Sequence, residues 1–402
     1  MASISKDRWL AIATLMPSII LIGIFVYGFI GNTFYVSMTD WNEEQALSFD
    51  PEINYTGLEN YRYLFSDSLS PEVQEMLAQM QETMGDDFPD DISMFTDPLG
   101  TRFRQDMVNA VFYSVLLLAG AVGLGMFLAI LLDRRPRGIG ILRTVFLYPM
   151  ALSFIVTGTI WNWLLAPQGL NQLPTAVGLD PIQFDWLSSR DQILTFNWQR
   201  LLPVLLYILA AVLIVWGLMR LRRKGAKALY HLLLPGVVIG ASTWLFGGFL
   251  PDVLMMEEPH GFNLATLGII MAAVWQYSGY TMALYLAGFH GISLDIAEAA
   301  KLDGAGPFGY YRHVAIPMLK PITISAVIIL SHISLKMFDL IYAMTGWDTA
   351  TTGHPALNMF TTSFRANNFA KGAAIAVVLF LLAAMFIIPY LVSSYRKKKG
   401  VA

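Results

Sequence analysis

The sequence predicts an all-α integral membrane protein of eight transmembrane helices with both termini on the cytoplasmic side. Three observations carry this expectation. Apolar residues make up 55% of the 402 and charged residues only 14%, outside the balance of a soluble domain. The apolar residues gather in runs of about 20, the length a helix needs to cross about 30 Å of hydrocarbon. Lysine and arginine concentrate on alternate sides of those runs.

The runs are 9–38, 108–132, 141–165, 201–219, 229–250, 264–289, 322–346 and 372–392. The first is too long for the apolar core of a signal peptide, and no small-residue cleavage site follows it, so it reads as a span. With the N-terminus inside, the cytoplasmic segments hold Lys6 and Arg8, then Arg134, Arg135, Arg137 and Arg143, then Arg220, Arg222, Arg223, Lys224 and Lys227. Lys301, Arg312 and Lys320 follow, and residues 396–399 close the basic set. The outer segments carry fewer cations, Arg62, Arg102, Arg104, Arg190, Arg200, Arg365 and Lys371, and are rich in Asp and Glu.

This gives a provisional division of the chain. Residues 1–38 are the first span, and 39–107 form an acidic outer loop with a short helix starting at Pro71, followed by an acidic turn. Residues 108–194 return to membrane helices, and 195–262 form a helical hairpin with a basic turn. Residues 263–395 hold the remaining spans, interrupted by a charged loop at 293–317, and 396–402 are a basic tail. Cysteine is absent, which excludes disulfides, thiolate metal sites and cysteine nucleophiles. The histidines are scattered, so no metal set and no catalytic constellation is expected, and nothing points to nucleic acid.

The loop at 293–317 holds the sharpest signal. Within LDIAEAAKLDGAGPFGYYRHVAIPM, Asp295 and Glu298 are spaced as in a capping box, and Gly304 suits a helix C-terminus. A helix of about two turns is too short to span and too weak to stand alone, so it must be held against something. Ala297, Ala300 and Gly304 offer a small-residue face, while Tyr310, Tyr311 and Arg312 suit the membrane interface.

The order EAA, three residues, Gly304, nine residues, Val314, then Ile316 and Pro317 resembles the EAA loop in the permease subunits of ABC importers. GLENYRYLF (57–65), AVWQYSGYTMALYLAGFHGISLDIAEAAKLDGAGPF (273–308), LKMFDLIYAMTG (335–346) and FAKGAAIAVVLFLL (369–382) extend the likeness to carbohydrate-uptake permeases, the group that includes the maltose transporter's membrane subunits. Two departures stand out: the hairpin at 195–262 is inserted into the usual six-span core, and GWDTATTGHP (346–355) replaces a glycine-rich outer loop.

The resemblance implies a non-enzymatic transport subunit in a bacterial or archaeal plasma (inner) membrane. Its partners would be two ATP-binding subunits, a second homologous permease and a periplasmic or lipid-anchored sugar-binding protein. Glu298, Ala299, Ala300, Asp303 and Gly304 would couple to an ATPase. ATP and Mg2+ would belong to those ATPases, in keeping with the lack of a Gly-x-x-x-x-Gly-Lys-Ser/Thr loop here.

Polar groups within spans mark a candidate path. Gln276 and Tyr280 lie one turn apart with Trp275 and Tyr277 beside them, a set of amide, phenol and ring faces that suits a sugar. The likeness to the maltose permease places Gln276, Tyr277, Tyr280, Ser334 and Met337 along the substrate path. Lys336 and Asp339 are expected to neutralise each other at i, i+3. Trp161 and Trp163 are read as an aromatic belt, and His290 as interfacial. The competing class is a proton- or sodium-coupled secondary sugar transporter, for which Asp339 is the one intramembrane carboxylate and no inverted repeat is visible. PALNMFTTSFRANNFAKGAAIA (355–376) leans toward monosaccharides by its likeness to permeases for glucose- or mannose-like substrates, with oligosaccharides left open.

Overall fold

The computed structural model describes residues 6–65, 71–85, 98–134, 136–182, 186–189, 192–197, 200–224, 229–251, 259–347 and 352–399. The expected acidic turn at 86–97 and positions 348–351 of the 346–355 loop lie outside these. The described chain is helical apart from two short strands, β1 (Gln192–Asn197) and β2 (Pro259–Asn263), which pair at the two ends of the hairpin segment and were not foreseen. By contacts the chain divides into two units. One comprises Met1–Phe65, Pro98–Asp191 and Phe262–Ala402, and the other Ser66–Asp97 with Gln192–Gly261.

In the first unit, α1 (Lys6–Ile22) carries Pro17 and continues through a π turn (Gly23–Gly28) into α2 (Phe29–Val36). After α3 (Glu43–Leu47), α4 (Glu59–Phe65) returns Asn60 to the end of this span, where its amide donates to the carbonyls of Ser37 (3.0 Å) and Thr39 (2.8 Å). That side chain closes carbonyls which the helix end leaves open. In the second unit, α5 (Pro71–Met84) is the short helix expected in the outer loop.

Helix α6 (Pro98–Asp133) is the longest element. The apolar run 141–165 is not one helix: α7 (Ile139–Leu147) passes through a short turn (Tyr148–Ala151) and gives way to α8 (Phe154–Leu165) at a bend of 103°. Pro149 sits in the turn, and Ser153 begins the new helix with its Oγ accepting from the N–H of Val156 at 3.3 Å. In the second unit, α9 (Leu201–Lys224) and α10 (Leu234–Phe246) pack as a hairpin.

Helix α11 (Leu264–His290) is the buried centre of the first unit, packed along α6. Its Thr281 hydroxyl donates to the carbonyl of Ala121 at 2.6 Å. At Gly279 the backbone of α7 comes so close that a Cβ would lie 1.9 Å from the carbonyl oxygen of Phe146. Beyond α11 come α12 (Leu294–Leu302), α13 (Pro307–Met318, with a π turn inside it) and α14 (Lys320–Ser334), the last two meeting at 64°.

The expected span 322–346 also breaks, ending α14 at Ser334 and restarting as α15 (Asp339–Thr345). The Ser331 hydroxyl bonds back to the Val327 carbonyl (2.7 Å) and Ser334 to that of Ser331 (2.9 Å), local contacts that compete with helix continuation. Finally α16 (Pro355–Phe364) packs on α17 (Phe369–Lys399), which runs into the basic tail.

Five described helices are long and apolar enough to cross a membrane, or seven if each bent pair is one span. Helix α11 is not among them. Enclosed by its neighbours, it needs no lipid-facing apolar stripe and carries Gln276, Ser278 and Thr281 instead, all buried.

Candidate functional site

Two regions of the first unit carry the residues singled out by sequence. The first is α12. Ser293, not Asp295, occupies its N-cap, and no side-chain cap forms, so the capping box is not made. Its other end is a complete Schellman motif: Gly304 has φ +82°, the Ala305 N–H donates to the Ala300 carbonyl (2.9 Å), and the Gly304 N–H donates to that of Lys301 (3.0 Å).

Glu298, Ala299, Asp303 and Gly304 are exposed, whereas Ala300 is turned into the chain's own interior and is 8% exposed. Sequence reading missed the outward stripe. Leu294 (79% exposed) and Leu302 (89%) flank Glu298 at intervals of four, one helical face, and Phe308 (74%) lies beyond the turn. The base of the loop is fixed by Tyr311, whose hydroxyl donates to Asp133 Oδ2 at 2.7 Å and whose ring meets Phe289 edge-on at 5.5 Å. The end of α6 is thereby tied to the loop.

The second region is a cavity of about 360 Å³ at the α14–α15 break, lined by Phe154, Tyr277, Lys336, Met337, Phe338 and Asp339 among others. Two of the five expected path residues, Tyr277 and Met337, reach it. Gln276 instead donates through Nε2 to the Leu152 carbonyl (3.0 Å), one of the groups freed by the α7–α8 bend. Ser334 is fully buried, its Oγ 2.7 Å from that of Ser114 on α6, and Tyr280 packs against the core around Tyr113 and Leu117. A second cavity of about 550 Å³ lies at the other end of α15, lined by Asn162, Trp186 and Tyr342 among others. Of the two tryptophans expected in an aromatic belt, Trp163 is 66% exposed and Trp161 turns inward onto Trp275 at 6.0 Å. His290, at the end of α11, is exposed.

A further set was not foreseen. Arg102, Asp106, Asn109 and Tyr113 occupy one face of α6 at i, i+4, i+7 and i+11, and together they clasp the segment around α16. Arg102 Nη2 donates to the Trp347 carbonyl (2.7 Å), Asn109 Nδ2 to that of Gly353 (3.0 Å) and the Tyr113 hydroxyl to that of Thr352 (3.1 Å). Asn358 Nδ2 in turn donates to Asp106 Oδ2 at 2.8 Å. The available signal was polar residues at helical spacing running from the end of the outer loop into the apolar run at 108–132.

His354, fully buried against Tyr113, caps α16 by accepting the Ala356 N–H at Nδ1 (3.2 Å). Burial pushes its imidazole down from 6.5 to about 3. As pH falls below 6.5 the unfolded chain takes up a proton that the folded chain refuses until about pH 3. Stability present above pH 6.5 is therefore lost across that interval, by about 1.4 kcal/mol per pH unit at most. We expect the thermal midpoint to fall more steeply from pH 6.5 to 5 in the wild type than in His354→Asn, which keeps a capping acceptor and does not titrate. Parallel profiles contradict this assignment.

Residues 121–398 match the family described as "Binding-protein-dependent transport system inner membrane component". A probable ABC transporter permease protein of Pyrococcus horikoshii is 30% identical over 98% of this chain and 98% of its own length. The xylose/arabinose import permease protein XacH of Haloferax volcanii is 28% identical over 94% and 86%. Among solved structures, a chain of a bacterial alginate ABC transporter, in complex with an alginate pentasaccharide-bound periplasmic protein, superposes with a TM-score of 0.57 at 14% identity, over 95% of this chain and 93% of that one. This last likeness is one of fold.

Proposed function

We propose, since the chain belongs to the family of binding-protein-dependent transport system inner membrane components, that it is the permease subunit of an ATP-driven sugar importer and builds the translocation path with a second, homologous permease. It sits in the plasma membrane of a bacterium or archaeon with eight spans, α11 included, and both termini inside. Two ATP-binding subunits supply ATP and Mg2+ chemistry, and an extracytoplasmic binding protein delivers the sugar.

The observation that carries this reading is the outward stripe of α12. An exposed Leu294–Glu298–Leu302 face, held by a tight Schellman end, has the form of a part made to enter another protein. The leucines fill an apolar groove of the ATPase, Glu298 pairs with a basic side chain there, and Ala299 permits close approach. Asp303 and Gly304 set the angle of the loop, while Ala300 seats the helix on its own chain. In the path, Tyr277 and Met337 face the solute. Gln276, Tyr280 and Ser334 shape the walls behind them.

Co-purification tests the stripe. Leu302→Glu should reduce retention of the ATP-binding subunits on the tagged chain by about tenfold or more at unchanged membrane abundance, since a charge cannot enter an apolar groove unpaired. Retention equal to wild type would exclude α12 as the docking element.

A further inference from the structure

The cavity at the α14–α15 break has a mixed wall. Phe154, Tyr277 and Phe338 supply rings, with Phe154 and Tyr277 5.9 Å apart, while Lys336 and Asp339 supply one charge of each sign. In a continuous helix these two would stand one turn apart and neutralise each other. Here the helix is interrupted between them, α14 ending at Ser334 and α15 starting at Asp339, and both line the cavity. Lys336 is exposed and Asp339 half-buried. Charges within an apolar segment face water or protein rather than lipid, so this face belongs to the path or to the partner permease.

We propose that this cavity selects neutral polyhydroxylated rings over sugar acids and amino sugars, with Lys336 and Asp339 as its specificity-determining contacts. The inference rests on the sugar-permease reading above. A hydroxyl both donates and accepts, so neighbouring hydroxyls of one ring satisfy the carboxylate of Asp339 and the ammonium of Lys336 together, while the C–H faces pack on the rings. A uronate carboxylate satisfies Lys336 but meets Asp339 as a like charge. An amino sugar meets Lys336 in the same way. The zero net charge of the wall thus rejects either ion and accepts the neutral ring.

Saturation-transfer difference NMR on the detergent-solubilised membrane complex, with its ATP-binding subunits and without the binding protein, reads this cavity free of the binding protein's own selectivity. D-glucose, D-xylose, D-glucuronate and D-glucosamine serve as millimolar probes. We expect wild-type transfer to the neutral sugars to exceed that to glucuronate and glucosamine by about tenfold. Asp339→Asn should raise glucuronate to the level of glucose, Lys336→Met should do the same for glucosamine, and Tyr277→Ala should weaken all probes without changing their order. Asp339→Ser replaces the asparagine variant if that one does not accumulate. Equal wild-type transfer to glucose and glucuronate, or an unchanged ratio in the Asp339 variant, overturns the proposal. Transfer to none of the four overturns the sugar-path reading itself.

Discussion

Gly304→Leu is expected to stop sugar import while leaving the chain inserted at normal abundance. Gly304 holds φ +82°, a conformation that costs an L-residue about 1–2 kcal/mol, and both bonds of the Schellman motif depend on it. That strain alone corresponds to about tenfold in docking, and the leucine side chain adds bulk on the face proposed to meet an ATPase. No atom of this chain, its sequence neighbours apart, lies within 4 Å of the added Cβ, so the fold has room for it. The loss must therefore appear in coupling: ATP hydrolysis no longer follows the loaded binding protein. Gly304→Asn, which tolerates the left-handed region, should retain most transport. Full uptake by the leucine variant would remove α12 from the coupling path.

Gly279→Ala should have the largest effect on the fold. The added carbon would meet the Phe146 carbonyl oxygen at 1.9 Å and its carbon at 2.8 Å, backbone atoms that no rotamer change can move. Helices α7 and α11 must separate, and the Gln276–Leu152 bond beside them is strained, for a cost of about 3 kcal/mol. The sign is diagnostic. At Gly123, in the same family of membrane helices but with open space around it, alanine should stabilise by about 0.5–1 kcal/mol. Thermal unfolding in detergent compares the two variants directly. A Gly279→Ala protein as stable as the wild type would mean that α7 and α11 do not approach this closely.

The long apolar helices and the short helix at 294–302 were legible because each writes a local pattern. Long apolar runs and the EAA spacing need no knowledge of neighbours. The breaks at 152–153 and 335–338 were not legible, because hydropathy averages over residues that remain apolar through a bend. Pro149 and Ser153 were the missed punctuation at the first, and the back-bonding Ser331 and Ser334 at the second. Of the five residues expected along a path, Tyr277 and Met337 line the cavity, whereas Gln276, Tyr280 and Ser334 turn to other neighbours. One residue turns a helix by about 100°, so Tyr277 reaches the cavity while Gln276, its neighbour, reaches the α7–α8 bend. Pairing Lys336 with Asp339 assumed a helix that the structure interrupts. The stripe of Leu294 and Leu302 escaped notice because two leucines near a membrane protein's loop carry no signal until their exposure is known.

As proposed, solute movement through this chain is driven by ATPases docked on α12. Uptake of radiolabelled neutral sugar into proteoliposomes holding the assembled transporter and its loaded binding protein tests it directly. Uptake that requires ATP on the side of the ATP-binding subunits, and that persists when ionophores collapse the proton and sodium gradients, is the predicted result. Uptake that continues without ATP and vanishes with either gradient would make the protein a secondary transporter and contradict the account.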